Sequence, residues 1–191
     1  WGDRLEIFGL DLRHTPSVEA FCTHLLKTRT RLDAIVNNAC QTVRRPPGFY
    51  EHMMNRETAA LELLPANVLQ LVGSYETLRS VAPSLPLGED GIVAPKLPAA
   101  EATNVPGLTR AAELSQTALL PEDHLTEASL FPAGQLDQDL QQLDLRGRNS
   151  WRLRLHEVSA VELLETQLVN AVAPFVLNAG LKPLMEATPG V

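Results

Sequence analysis

Two short apolar segments separated by one amphipathic helix constrain the fold of this chain more than any other feature. The segments run from Leu5 to Leu10 and from Leu32 to Val36. Between them Thr15 predicts a helix N-cap, and Pro16 suits the first helical position because it needs no N–H there. Two strands joined by one helix run parallel and are covered on both faces. Residues 1–45 are therefore predicted to form a strand, a helix and a second strand.

Residues 46–148 differ in composition from the sequence on either side. They hold 10 of the 14 prolines, and residues 51–148 carry 14 acidic against 6 basic side chains. The pattern predicts a helix over 66–81, a short helix from Pro121 and a loop over 83–107. A long piece with so little regular structure is usually functional or mobile rather than core. We interpret 46–148 as an acidic, proline-rich insertion into one domain made of 1–45 and 149–191.

Residues 149–191 predict a long helix that contains a proline. Ser159 and Glu162 have the spacing of a capping box just before an apolar run. Pro174 cannot donate a hydrogen bond to the carbonyl four residues earlier, which belongs to Asn170. That carbonyl is then free for water or a ligand, so Asn170 is a candidate site residue. The predicted apolar stripe of this helix consists of Val161, Leu164, Leu168, Val172, Phe175, Val176 and Ala179.

Four motifs occur in the order in which short-chain dehydrogenases/reductases carry them. The stretch Leu-Asp-Ala-Ile-Val-Asn-Asn-Ala-Cys, residues 32–40, resembles the family's "Leu-Asp-x-x-Val-Asn-Asn-Ala-Gly" strand end. Asp11-Leu12 stands where the family has an acidic-apolar pair after its third strand. Residues 169–177 and 181–185 resemble "Asn-x-x-x-Pro-Phe" followed by "Leu-x-Pro-Leu-Met". The resemblance covers somewhat under half of the chain, at residues 5–45 and 150–186.

The resemblance implies an α/β fold, a partial Rossmann domain with a doubly wound parallel sheet and a largely helical or irregular insertion. It also implies NAD or NADP as cofactor. Asp11 and Leu12 would then flank the adenine ring, and the backbone of Asn37, Asn38 and Ala39 would line the adenosine ribose. The Asn37 and Asn38 side chains would brace the strand ends. Two further residues are assigned by the same resemblance: Cys40, which replaces a glycine close to the nucleotide, and Asn170, which matches a catalytic asparagine whose carbonyl holds a water in a proton relay.

Two elements of the family's chemistry are missing from these residues. The family needs a Tyr that passes a proton and a Lys four residues later, but Tyr50 and Tyr75 are followed by Met54 and Arg79. The 11 glycines form no glycine-rich phosphate turn. The family places one element before the first segment and the other after the last. Because the chain also starts at Trp1 rather than Met, we expect an interior fragment that is inactive alone.

The leading functional hypothesis is a parent oxidoreductase that moves hydride between NAD(P) and a small-molecule carbonyl or alcohol. The alternative is a non-catalytic Rossmann-type scaffold or binding protein that acts through the insertion. A third hypothesis is an independent α-rich interaction protein. The insertion is interpreted as a lid over the substrate, a homo-oligomer contact or a mobile acidic surface excursion.

Charge and composition exclude several other classes of function. A net charge of -7 argues against a nucleic-acid partner, which needs clustered Lys and Arg. No apolar run reaches the roughly 20 residues of a membrane span and no signal peptide is found, so a cytoplasmic protein without a membrane partner is expected. Dispersed histidines and the absence of a Cys-x-x-Cys pair predict no metal site. The stretch 44–47, Arg-Arg-Pro-Pro, predicts a solvated loop or, because it follows the second apolar segment, a contact with a nucleotide phosphate or substrate.

Overall fold

Helices and connecting loops make up the computed structural model, which describes residues 2–60, 63–81, 105–125, 127–138 and 140–188. The α-helices are α1 (Thr15–Thr28), α2 (Pro47–Glu57), α3 (Ala66–Val81), α4 (Pro106–Thr109), α5 (Ala111–Leu114), α6 (Ala160–Gln167) and α7 (Ala173–Glu186). A π-helical turn, Leu168–Val172, connects α6 to α7. Short 3-10 turns lie at Gly2–Arg4, Pro121–His124, Ser150–Arg152 and Leu155–Glu157.

The predicted doubly wound parallel sheet is wrong. Within the described residues there is no β-strand, and the one bridge is an isolated antiparallel pair, Leu136 with Gln142. Residues 5–10 and 31–40 are extended but do not pair with each other. Backbone N–H groups of these segments donate hydrogen bonds to helices instead. The N–H of Ile7 donates to Leu71 O of α3 (2.9 Å), and the N–H of Leu32 donates to Leu184 O of α7 (3.0 Å). Since a strand exists only beside another strand, these apolar segments pack on helices instead.

Helix α1 forms where the apolar spacing predicts it, but its cap lies one residue earlier. His14, not Thr15, is the N-cap, and its Nδ1 accepts a hydrogen bond from the Ser17 N–H at 3.3 Å. Pro16 occupies the first turn, where its missing N–H costs nothing. The inward face of the helix buries Ser17, Val18, Ala20 and Cys22.

One core cluster joins α1 to α7 and the second extended segment. Cys22, Leu181 and Leu184 are buried there, and Leu25, Leu32, Ile35 and Leu177 pack around them. Gly180 makes the close approach of the helices feasible, because a Cβ at that position would lie 3.1 Å from both Cβ and Sγ of Cys22. We call this contact the α1–α7 seam.

A second cluster joins the first segment of the chain to the insertion. Its buried members are Ala20, Leu78, Val105 and Leu108, with Phe8, Leu10, Phe21 and Tyr75 packed against them. The Tyr75 hydroxyl donates to Leu108 O at 2.8 Å. The helix predicted over 66–81 is confirmed as α3, and the short helix predicted from Pro121 is confirmed as a 3-10 turn. The predicted loop 83–107 lies mostly outside the described residues. Helix α2 was not predicted.

The helical region 160–186 differs from its prediction in two ways. Ser159 does cap α6, since its Oγ accepts from the Glu162 N–H at 3.1 Å, but 149–158 forms turns instead of helix. The predicted apolar stripe is not the buried face. Leu164 is 61% exposed and Phe175 70% exposed, whereas the face that packs inward carries Glu165, Ala173, Leu181 and Leu184.

The stretch Ala160–Glu186 is long and apolar enough to cross a membrane by length and composition alone. That finding corrects the expectation that no run in the chain reaches this length. The same stretch carries Glu165, which is buried in ion pairs, and its inward face packs on α1. Only 11% of its most apolar 18-residue window is buried in this fold.

Candidate functional site

A cleft of about 1070 Å³ lies where the chain leaves its two extended segments. One wall comes from the loop after the first segment, residues 10–13, and another from the loop after the second, residues 39–45. Helix α2, residues 136, 137 and 140–142, and Trp151 also line the cleft. Helix α1 leads from one segment to the other, which brings two loops distant in sequence to one place.

Four of the six predicted cofactor-binding residues line this cleft: Asp11, Leu12, Ala39 and Cys40. Asn37 and Asn38 are exposed outside it. The Asn37 side chain donates from Nδ2 to Asn178 Oδ1 at 3.2 Å, which ties the second extended segment to α7. Cys40 is exposed and lines the cleft.

The Asp11 carboxylate is already engaged by a residue of its own loop. Asp11 Oδ2 lies 2.6 Å from Arg13 Nη2, and Oδ1 accepts from the Arg13 N–H at 2.9 Å. The hydrogen bond to Asp11 and the charges of Asp11 and Glu165 raise the pKa of Arg13, although burial opposes the shift. At this position Asp11 closes a loop, and the neighbouring Leu12 offers apolar surface to the cleft.

The Asn170 side chain forms two hydrogen bonds with the backbone of Gln41, which lines the cleft. Its Oδ1 accepts from the Gln41 N–H at 2.7 Å, and its Nδ2 donates to Gln41 O at 2.9 Å. The π-helical turn around Asn170 has a direct cause in Pro174. Because Pro174 has no N–H, the ordinary four-residue hydrogen bond is lost, and the Ala173 N–H donates five residues back to Leu168 O. The helical register therefore changes in the turn that contains Asn170, and the free Asn170 carbonyl stays a prediction.

A buried group of charges lies beneath the cleft and was not predicted from the sequence. Arg44 Nε donates to Glu165 Oε2 at 2.6 Å, and Arg44 Nη2 donates to Asp123 Oδ2 at 2.7 Å. The three side chains are 8%, 7% and 0% exposed, respectively, for Arg44, Glu165 and Asp123. We call this group the arginine clamp. The expectation of a solvated Arg-Arg-Pro-Pro loop is wrong at Arg44, and nothing local in the sequence points to carboxylates so distant along the chain.

The electrostatics of the clamp favour its charged form. Burial raises the pKa of Asp123, but hydrogen bonds from Arg44 and from the N–H groups of Leu119 and Leu120 outweigh it and leave the pKa below its usual value. Asp144 is a second buried carboxylate held by arginines. It contacts Arg45 and lies 2.8 Å from Arg146 Nη2, and its pKa is also lowered. The arginines at the floor of the cleft are therefore already neutralised by carboxylates.

Tyr50 is the tyrosine that lines the cleft, and burial raises its pKa, so it is protonated at neutral pH. Tyr75 lies in the second core cluster instead. Among the residues described, no group of three His, Cys, Asp or Glu side chains is placed to hold a metal ion.

Comparisons of this chain with protein-family models, with curated proteins and with solved structures gave no match. Its function is therefore argued from the geometry of the cleft.

Proposed function

We propose that the cleft binds NAD or NADP, as the nucleotide-binding part of an oxidoreductase that moves hydride to or from a small carbonyl or alcohol. One observation carries the proposal. Asp11-Leu12 and Ala39-Cys40, which belong to separate motifs, line the same cleft, and Asn170 of a third motif is bonded to its rim. The resemblance assigns these residues to one cofactor site from the sequence alone, so the geometry of the cleft is an independent argument.

The size and the chemistry of the cleft suit part of such a ligand. A volume of about 1070 Å³ is slightly above the roughly 300–1,000 Å³ typical of small-molecule sites. Leu12 and Ala39 offer apolar surface to a planar base, and the Asn170–Gln41 pair fixes the rim on which it would rest. The nicotinamide supplies the hydride when the cofactor is bound. The residues of this chain bind and orient it.

Turnover by the chain alone is not expected. Tyr50 could hold a proton at the cleft, but Met54 stands where the family's pattern needs a lysine to lower the Tyr pKa. Residues 1–191 also lack a glycine-rich turn for the pyrophosphate. The proposal for this chain is therefore binding, and turnover would need residues that 1–191 do not contain.

Equilibrium binding of NADH and NADPH to the purified chain tests the proposal, with dialysis or nicotinamide fluorescence as the readout. Ala39→Trp fills the cleft from its rim and should weaken binding at least tenfold. Ala34→Trp is the matched control, since Ala34 is an exposed alanine of the same extended segment that does not line the cleft. If the unsubstituted chain and both variants bind the cofactor equally well, the ligand lies outside the cleft. If the unsubstituted chain does not bind it, the proposal is refuted.

The alternative, a scaffold that binds nucleotide without reacting, predicts the same binding result. A second assay distinguishes the scaffold hypothesis from the oxidoreductase hypothesis. The full-length parent is mixed with NADPH and a panel of carbonyl compounds, and absorbance at the nicotinamide band is followed. Oxidation of NADPH supports the enzyme, and tight binding without oxidation across the panel supports the scaffold.

A further inference from the structure

One exposed loop combines large apolar side chains with positive charge. Residues 146–156, which we call the basic loop, contain four arginines, one tryptophan, two leucines and no acidic residue. Trp151 is 71% exposed and Leu155 is 94% exposed, and they belong to two successive 3-10 turns. A single exposed leucine is ordinary on a protein surface. The basic loop is therefore distinguished by the charges that surround its apolar side chains.

Two arginines of the basic loop are not compensated by a carboxylate. Arg152 donates a hydrogen bond to the carbonyl of Gly147 at 3.3 Å, and neither Arg152 nor Arg154 forms an ion pair with any described residue. The next acidic residue along the chain is Glu157. Its Oε2 accepts from the Arg154 backbone N–H at 2.8 Å, and its Oε1 lies 3.3 Å from Arg148 Nη2. The charge of Glu157 is thus balanced by Arg148, and the guanidinium groups of Arg152 and Arg154 stay available.

Other exposed leucines of the molecule lie in the opposite electrostatic setting. Leu63 is 76% exposed and Leu140 is 78% exposed. Both belong to residues 51–148, which carry 14 acidic against 6 basic side chains. In the basic loop, in contrast, exposed apolar side chains coincide with uncompensated positive charge.

An anionic lipid surface has the chemistry that matches this combination. Arginines close to a negatively charged leaflet are attracted to its headgroups. Tryptophan favours the boundary between hydrocarbon and water, and leucine gains free energy by leaving water for the acyl region. The net charge of -7 does not prevent such a contact, because charges beyond the Debye length of about 8 Å are largely screened at physiological ionic strength.

We propose that the basic loop docks this protein on an anionic membrane surface, with Trp151 and Leu155 inserted among the lipids and Arg152 and Arg154 bound to their headgroups. The loop would lie at the level of the headgroups, which is a different mode from spanning the bilayer. The proposal goes beyond cofactor binding and does not depend on it. Trp151 also lines the cleft, so docking would bring this part of the cleft next to the lipid.

Sedimentation of the full chain with lipid vesicles tests the proposal. One set of vesicles contains phosphatidylcholine alone, and the other is an equimolar mixture of phosphatidylcholine and phosphatidylserine. We expect at least about tenfold tighter binding to the mixed vesicles, and weaker binding as salt is added. Trp1 and Trp151 are the two tryptophans. In a Trp1→Phe background, the emission of Trp151 should therefore shift to shorter wavelength when mixed vesicles are added.

Arginine substitutions assign the preference for anionic lipid to the basic loop. Arg152→Gln with Arg154→Gln should weaken binding to the mixed vesicles about tenfold or more. The backbone bond from Arg154 to Glu157 is kept in this variant. The matched control, Arg56→Gln with Arg110→Gln, removes the same charge from exposed positions and should preserve binding.

A leucine substitution tests the apolar part of the contact. Leu155→Ser should weaken binding to the mixed vesicles about tenfold, because it removes the side chain that would leave water. Leu63→Ser makes the same change at another exposed leucine and should leave binding unchanged. Both positions are exposed, so both variants should give the circular dichroism spectrum and melting temperature of the unsubstituted chain.

Each other outcome overturns the proposal. Absence of binding, or equal binding to the two kinds of vesicle, shows that the basic loop does not recognise anionic lipid. Equal losses in the loop variants and in their controls show that overall charge or apolarity is responsible. If the chain associates with itself without lipid and Leu155→Ser abolishes the association, the loop is a contact between copies instead. NADH binding is measured on the same samples: Arg152→Gln with Arg154→Gln should leave it unchanged, so failure of one proposal is distinguished from failure of the other.

Discussion

The α1–α7 seam and the arginine clamp hold distant parts of the chain together by different physical means. The seam buries Cys22, Leu181 and Leu184 in apolar contact, whose strength depends on shape and area. The clamp buries Arg44 between Asp123 and Glu165, so three charges are removed from water together. Such a group contributes little net stability when intact, but it becomes costly when one member is removed. The seam should therefore lose stability in proportion to the apolar volume removed, whereas the clamp should lose stability when any one of its charges is left without its partner.

The largest effect is expected from Arg44→Met. The substitution leaves Asp123 and Glu165 buried with reduced compensation, and breaking a buried ion pair in this way costs about 4 kcal/mol. Arg44→Lys should fall in between, because it keeps the charge but loses the bidentate geometry. Chemical denaturation gives the free energy of unfolding for each variant.

Arg31→Met is the control for Arg44→Met, since the Arg31 side chain is 60% exposed in a surface pair with Asp33. It should change the free energy of unfolding by less than about 0.5 kcal/mol. If Arg44→Met and Arg44→Lys unfold at the same denaturant concentration as the unsubstituted chain, the clamp does not stabilise the fold and the contrast with the seam disappears.

Leu181→Ala tests the seam and should cost about 3 kcal/mol, because it removes buried methyl groups and leaves a cavity between α1 and α7. Leu164→Ala makes the same chemical change at a position that is 61% exposed and should cost less than about 0.5 kcal/mol. Urea unfolding of the two variants measures both losses of unfolding free energy. A similar loss in both would mean that the exposed face of α6 and α7 is buried in solution.

The sequence predicts the helices of this protein better than their arrangement. The spacing of Val18 and Cys22 locates α1, and the Ser159 pattern locates the start of α6, because both signals lie within a few residues of the element they specify. The parallel sheet failed for the opposite reason. Residues 32–36 are apolar enough for a strand, but pairing depends on a neighbour that no local pattern reveals, and here α7 takes that place.

The candidate site divides in the same way. Asp11, Leu12, Ala39 and Cys40 were selected as motif members and do share one cleft. The arginine clamp and Trp151 could not be selected, because their roles arise from contacts with residues about a hundred positions away or from exposure that only the fold determines.

A third prediction uses alkaline pH against the seam. Burial raises the pKa of Cys22 from 9.0 to about 11. A raised pKa means that the folded state keeps the proton longer, so this contribution is complete below pH 9 and is lost as the pH rises toward 11. The protein should therefore lose roughly 1 kcal/mol of unfolding free energy by pH 10. Cys22→Ala should remove this part of the pH dependence. An identical alkaline slope in the variant would show that the thiol is not the group responsible.

The smallest effect is expected when acid protonates two buried carboxylates, Asp123 of the clamp and Asp144 beside Arg45 and Arg146. The pKa values of Asp123 and Asp144 are lowered in the folded state, so their contribution is complete above the unfolded value of about 3.9 and is lost as the pH falls through the folded values. Down to pH 4 the loss should stay below about 1 kcal/mol, and it should steepen below that pH. Asp123→Asn should flatten the acid limb of a plot of unfolding free energy against pH, whereas Asp33→Asn, at a carboxylate that is 62% exposed, should not. If Asp33→Asn flattens the limb as much as Asp123→Asn does, burial in the clamp is not what makes the protein sensitive to acid, and the seam and the clamp no longer differ in their response to pH.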